Sequence, residues 1–180
     1  MLKLLLLRHA KTTPGESGMA DFDRHLLPRG RRAAAGIGEY LADRKLFPDV
    51  VLCSSSKRTR ETLAAILPYL RDDMTIHISS ALYESNIGNY VSAIRSQGGD
   101  APVVLLIGHN PTMEECAAEL IARSKSGGSA SIRFPTSGMA VIDFDIPDWS
   151  KLKPATGKIV NFVEPRGLAL GAEDAVPAGK

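Results

Sequence analysis

Residues 2–9, LKLLLLRH, decide how the chain is read. The run is apolar from Leu4 to Leu7, shows no helical spacing, and breaks off at Arg8-His9. A short apolar run of this kind fits a strand covered on both faces. In open α/β sheets the ligand crevice lies beyond the carboxyl ends of the strands. A central strand over residues 2–7 therefore predicts Arg8 and His9 at the mouth of that crevice.

Two further runs end the same way. Residues 49–54, DVVLCS, lead into a serine cluster, with Arg58 four positions after Ser54. Residues 102–108, PVVLLIG, end in His109-Asn110. Between the first two runs, residues 10–28 read as a long loop over the crevice. Residues 29–44 read as a helix with Ala33, Ile37, Tyr40 and Leu41 on one apolar stripe, set between Pro28 and Pro48. Further helices are expected from the serine cluster to about residue 70, over 90–96 and over 112–124. A short strand is expected at 74–79, a Ser/Gly-rich loop at 125–131, and two last strands at 139–144 and 158–163. The last pair has no helix between its members and suits antiparallel pairing. Strands alternating with helices predict an α/β fold: a three-layer sandwich with a mostly parallel, mixed central sheet and helices on both faces. One domain is expected over 1–164, followed by a Gly/Ala/Pro-rich, poorly ordered tail at 165–180.

Composition narrows the function classes. The chain has 180 residues, 44% hydrophobic and 23% charged, with a net charge of +2. That balance gives no support for binding nucleic acid or a membrane surface. The one basic block, Arg29-Gly30-Arg31-Arg32, suits a solvated helix start. No run reaches transmembrane length, and Leu4–Leu7 is too short for the apolar core of a secretory leader, so a cytoplasmic protein is expected. Cys53 and Cys116 lack metal-ligand spacing and read as buried free thiols.

If the three apolar runs are parallel, two histidines and two arginines meet at one edge of the sheet. Zinc would be opposed by the arginines, and no carboxylate follows either histidine in a ligand-like pattern. A serine triad would need a nucleophile elbow, and G-x-S-x-G is absent. An anion site fits the residue types. Arginines grip phosphoryl oxygens through charge-assisted hydrogen bonds, and their charge keeps a neighbouring imidazole neutral and nucleophilic.

These residues also resemble a known family. Arg8-His9-Ala10 is similar to the R-H-G signature of the histidine phosphatase superfamily, whose fold is phosphoglycerate mutase-like. Ser54-Ser55-x-x-Arg58-x-x-Glu61-Thr62 resembles its S-x-x-x-R-x-x-Q-T motif, and Gly108-His109-Asn110 its second-histidine motif. The segment from Asp23-Arg24 to Arg29-Gly30, together with Thr136-Ser137-Gly138, is most similar to the SixA-type phosphohistidine phosphatases. The resemblance implies that His9 takes the phosphoryl group, that Arg8, Arg58 and His109 hold its oxygens, and that no metal or other cofactor is needed. Leu82-x-Glu84-x-x-x-Gly88 resembles the family's acid-bearing segment, so Glu84 is the candidate proton donor; a solvated loop glutamate is the competing reading. Ala10 and Glu61 depart from the family pattern, and neither substitution is expected to change the chemistry. The implied partner is a protein carrying phosphohistidine. A small phosphomonoester or sugar phosphate is the alternative substrate, and a non-catalytic phosphate-binding regulatory module is the alternative from another class.

Overall fold

The computed structural model describes residues 1–15, 17–84, 86–122 and 132–165. The expected loop at 125–131 and all of the expected tail but Pro165 lie outside them. Six strands form one sheet: β1 (Leu2–Arg8), β2 (Val50–Ser54), β3 (Thr75–Ser79), β4 (Val103–Gly108), β5 (Met139–Phe144) and β6 (Lys158–Val163), in the order β3-β2-β4-β1-β5-β6. Strands β1 to β4 are mutually parallel. β5 runs antiparallel to both β1 and β6, as the helix-free connection between the last two strands predicts. Four helices complete the fold: α1 (Pro28–Asp43), α2 (Lys57–Ile66), α3 (Ile87–Gln97) and α4 (Thr112–Leu120).

Strand alternation sorts the apolar residues into two cores. Leu4, Leu6, Leu52, Val104, Leu106 and Ile142 pack with Tyr90 and Ile94 of α3 and Met113 and Cys116 of α4. Leu5, Leu7, Val51, Leu105, Ile107 and Val141 pack with Ile37 and Leu41 of α1 and Leu63 and Ile66 of α2. The sheet is thus the middle of three layers. Leu4 to Leu7 are all fully buried, each worth roughly 1.5–3 kcal/mol of transfer energy.

The helix ends differ from the sequence reading for local reasons. α2 stops at Ile66 and continues as a 3-10 turn, Leu67–Tyr69, because Pro68 lacks the amide that would prolong it. α3 begins at Ile87, three residues early, because Asn86 caps it: Asn86 Oδ1 accepts from Asn89 N at 3.0 Å. α4 ends at Leu120 because the backbone then pairs laterally, Ile121 bridging to Gly157 and Ala122 N donating to Gly157 O at 2.8 Å. The expected loop 10–28 is a tied flap. Thr12 bridges to Leu26, Thr13 N donates to His25 O at 3.0 Å, and Leu27 N donates to Lys11 O at 2.9 Å.

Three parallel strands end nearly level. Arg8 pairs with Gly108, and Cys53, one residue short of the end of β2, pairs with Ile107. Gly108 is demanded by packing: a Cβ there would lie 2.2 Å from Tyr90 Oη. That buried hydroxyl accepts the amide of His109 at 2.9 Å. Gly108→Ala should therefore lower stability by about 1–3 kcal/mol, the usual cost of overpacking, read from urea denaturation. An unchanged midpoint would show that the Tyr90 contact can yield freely.

Candidate active site

The site begins with the backbone at the end of β1. His9 N donates to Gly108 O at 3.1 Å, Ser137 N donates to His9 O at 3.2 Å, and Arg8 N donates to Gly138 O at 3.0 Å. The segment 135–138 is a turn closed by Gly138 N to Pro135 O at 2.8 Å, with Ser137 at φ 60 in the left-handed region. Ala10 N donates to Thr62 Oγ1 at 3.0 Å, and Thr62 Oγ1 donates to Arg58 O at 2.7 Å. His9 is therefore located by β4, by the 135–138 turn and by α2 together.

Hydrogen bonding fixes the His9 tautomer. Its Nδ1 lies 2.8 Å from Ala10 O. A carbonyl can only accept, so Nδ1 carries the proton and Nε2 keeps its lone pair. The ring of His109 lies 5.3 Å away, centroid to centroid, and is tilted by 53°. His109 Nε2 meets Ser54 Oγ at 2.7 Å. Both histidines are held neutral. Burial, then the charges of Arg58 and Arg8, lower His9 to about 4 against the opposing bond to Ala10 O. Burial first and Arg58 next lower His109 to about 3.

The arginines flank this pair. Arg8 Nη1 donates to Phe134 O at 2.7 Å. Burial pulls the Arg8 pKa below its ordinary value, with Glu114 opposing. Arg58 Nη1 donates to Asp21 O at 2.7 Å, and its Nη2 donates to Asp21 Oδ2 at 3.0 Å. Its guanidinium carbon lies 5.8 Å from the centre of the Tyr83 ring, whose hydroxyl donates to the same Asp21 oxygen at 3.2 Å. Among the described residues, Arg8 Nε, Arg58 Nε, His109 Nδ1 and Ser137 Oγ are buried without a partner. Buried donors of this kind each cost about 1–3 kcal/mol and call for an explanation. Arg8, Arg58 and His109 line one cleft with His9, and the two arginine nitrogens can donate to an anion.

Arg8, His9, Arg58 and His109 line one cleft of about 740 Å³, so the four residues inferred from the strand ends are brought together. Glu84 is not among the residues that line it. It is exposed and sits just beyond the 3-10 turn Ser80–Leu82, its amide donating to Ser80 O at 3.1 Å. Asp21 is the ion-pair partner of both Arg58 and Arg24. Desolvation pushes Asp21 up, but hydrogen bonds and charge from Arg24 and Arg58 outweigh it and hold the carboxyl below its usual range. Glu61, expected to matter little, anchors the flap: Oε2 accepts from Leu26 N at 2.7 Å and Oε1 pairs with Arg31 at 3.1 Å. Ser54, at the end of the second apolar run, meets His109. Its sequence signal, a polar residue at the end of an apolar run, is the one that marks His9 and His109.

Among the described residues no group of His, Cys, Asp and Glu is set to hold a metal ion. No helix among them is long and apolar enough to cross a membrane. The thiols of Cys53 and Cys116 are pushed up to about 12 by burial and lie in the two cores.

Two outcomes follow from this electrostatic layout. The imidazoles of His9 and His109 should titrate below pH 5 in the free protein by NMR. The unfolded chain then binds more protons between about pH 6.5 and 4, so this contribution to stability is present above pH 6.5 and is lost as pH falls through that window. Titration near 6.5 for either ring would contradict the burial argument. Separately, Asp21→Asn should tighten orthophosphate binding about two- to fivefold by calorimetry, since it removes a competing negative charge worth up to ~1 kcal/mol while the Asp21 carbonyl still holds Arg58. Weaker binding would mean that the carboxylate is needed to orient the guanidinium.

Known proteins share both the sequence and the fold. The model of the histidine phosphatase superfamily (branch 1) matches residues 4–130. An uncharacterized protein of Mycobacterium tuberculosis is 34% identical over 166 residues, covering 89% of this chain and all of the relative. A candidate phosphohistidine phosphatase SixA from Agrobacterium tumefaciens superposes with a TM-score of 0.77 at 32% identity, over 91% of this chain and 98% of that one. Another from Nakamurella multipartitia reaches a TM-score of 0.80 at 29% identity, over 91% and 96%. A protein histidine phosphatase SixA complexed with tungstate has a TM-score of 0.76 over 92% and 98%; at 20% identity it shows the shared fold alone. On the family match and the full-length relative together, the chain belongs to branch 1 of the histidine phosphatase superfamily.

Proposed function

We propose that the protein is a metal-independent phosphatase acting through a phosphohistidine intermediate on His9, with phosphohistidine on a protein as its substrate. The observation that carries this reading is one cleft lined by Arg8, Arg58 and His109, with Arg8 Nε, Arg58 Nε and His109 Nδ1 buried and unpartnered, together with a histidine whose Nε2 keeps its lone pair. Nε2 attacks phosphorus, a P–N bond to His9 forms, and the bond to the leaving group breaks with its electron pair. The arginines and His109 meet the charge on the phosphoryl oxygens, where most phosphoryl-transfer catalysis resides. His109 Nδ1 can donate in the tautomer in which Ser54 Oγ donates to Nε2 across their 2.7 Å contact. Water then attacks phospho-His9, releasing orthophosphate and returning the neutral imidazole.

The leaving group is argued from the carboxylates. Glu84 is exposed and outside the cleft lining, and Asp21 is held ionised between two arginines. Neither supports strong proton donation to an alkoxide. An imidazole needs less help, because its second ring nitrogen takes a proton near neutral pH and lets the ring leave uncharged. The two neighbours described as candidate phosphohistidine phosphatases, at 29% and 32% identity, support the same choice.

Incubation with a ³²P-phosphohistidine protein should yield acid-labile label on the wild type and none on His9→Ala. Arg58→Ala should lower kcat/KM by about 10²–10³, the scale seen when a donor to transition-state charge is removed. Label persisting in His9→Ala would sink the mechanism. Faster turnover of simple phosphomonoesters, lost in Glu84→Gln, would sink the choice of substrate.

A further inference from the structure

Beside the cleft lies a second cavity of about 810 Å³, and Arg8, Lys11, Arg29, Asn110 and Thr136 line both. Three cations from three separate segments converge on it: Lys11 from the flap, Arg29 from the first turn of α1, and Arg133 from the segment ahead of β5. All three are exposed, and among the described residues no ion pair engages them. The carboxylates of the groove are Glu114 and Glu164. Glu114 is already committed, its Oε1 accepting from Phe134 N at 2.9 Å and Asn110 Nδ2 at 2.8 Å. Among the described residues no ion pair engages Glu164, so Arg8, Lys11, Arg29 and Arg133 stand against two carboxylates and the balance of the groove is positive.

Two of the cations are held in register by the backbone. Lys11 O accepts from Leu27 N at 2.9 Å and lies against Gly30, where a Cβ would come within 2.2 Å of it. The flap is thus locked onto the first turn of α1, and Lys11 is fixed beside Arg29. Arg8 forms part of both walls, so the groove opens from the phosphoryl site itself.

We propose that this groove is a second anion subsite. It binds a carboxylate or phosphate carried by the leaving group, so the protein selects phosphoryl donors with a second negative charge. The proposal rests on the phosphatase reading and sharpens its substrate class. That charge has two sources, acidic side chains flanking phosphohistidine in a protein or the second phosphate of a small bisphosphate.

Two matched pairs separate the sources. One is a phosphohistidine peptide with flanking glutamates against the same peptide with glutamines. The other is propane-1,3-diol bisphosphate against propyl phosphate. At low ionic strength one pair should show a kcat/KM ratio of about tenfold or more, the worth of one charge-assisted contact. Arg133→Gln, which lies outside the catalytic cleft, should cut that ratio at least threefold (~0.7 kcal/mol) without slowing the member of the pair that lacks the second charge. Lys11→Gln and Arg29→Gln should cut the ratio as well, and added salt should collapse it. A response in the peptide pair identifies a protein source, and one in the bisphosphate pair a small molecule. Ratios below about twofold in both pairs, or ratios untouched by all three variants, overturn the subsite while leaving the phosphatase intact. If no compound is hydrolysed, the phosphatase reading fails instead. The same four compounds, then intact, are titrated calorimetrically, and equal affinities within both pairs overturn the subsite independently.

Discussion

A run of four leucines cannot register itself. Slipping β1 by one residue moves every side chain to the opposite face, but Leu4 to Leu7 would exchange leucine for leucine in two cores that are both apolar. The register that sets Arg8 opposite Gly108 must come from the ends of the strand. At the amino end Lys3 pairs with Asp143, its cross-strand neighbour on β5, and Lys3 N donates to Pro102 O at 2.9 Å. At the carboxyl end the amides of Arg8 and His9 bond to Gly138 and Gly108, and the carbonyl of His9 accepts from Ser137. The second set is also the scaffold of the candidate site around His9. The apolar run supplies burial energy without specificity, and the polar bonds around His9 supply the specificity. The position of His9 is thus part of what makes the sheet unique.

The same economy governs how much could be read from sequence. The apolar runs and the residues just past their ends are local signals, so the sheet, its two faces and the group Arg8, His9, Arg58 and His109 were legible. Asp21, Ser54, Tyr83 and Tyr90 were not, because each acts across a gap in sequence. Asp21 meets Arg58 thirty-seven positions away, and Ser54 meets His109 fifty-five positions away. Gly108 likewise reads as a strand-end glycine until Tyr90 is packed against it. Glu61 illustrates the limit well. As a replacement for glutamine it looked neutral, yet its two oxygens tie the flap amide of Leu26 and Arg31 of α1 to α2.

Those ties hold the described residues of 10–28 in place where composition suggested a plain loop. Arg24 reaches back to Thr12 and Thr13, with Nη2 donating to Thr12 Oγ1 at 2.7 Å and Nε to Thr13 O at 3.1 Å. One arginine thereby closes the flap and also steadies Asp21 through Nη1 at 3.1 Å. Loop order and site electrostatics are therefore a single network. Loosening the flap would free Asp21, and with it the guanidinium of Arg58.

The choice of a loop carboxylate as the partner of Arg58 follows from the competing demands on that arginine. Its residue is only 7% exposed, and a buried guanidinium without a counter-charge is costly. A fully buried aspartate would hold it tightly, but would also stand as a permanent rival to a phosphoryl group. The side chain of Asp21 is 54% exposed. Ion pairs with one solvated partner are worth little, about 0–1 kcal/mol. A pair of that strength keeps Nη1 and Nη2 turned toward the flap and leaves Nε unspent, and on the proposed phosphatase reading it yields to a phosphoryl dianion. The weakness of the Asp21 contact is therefore what lets one arginine be both pre-positioned and available.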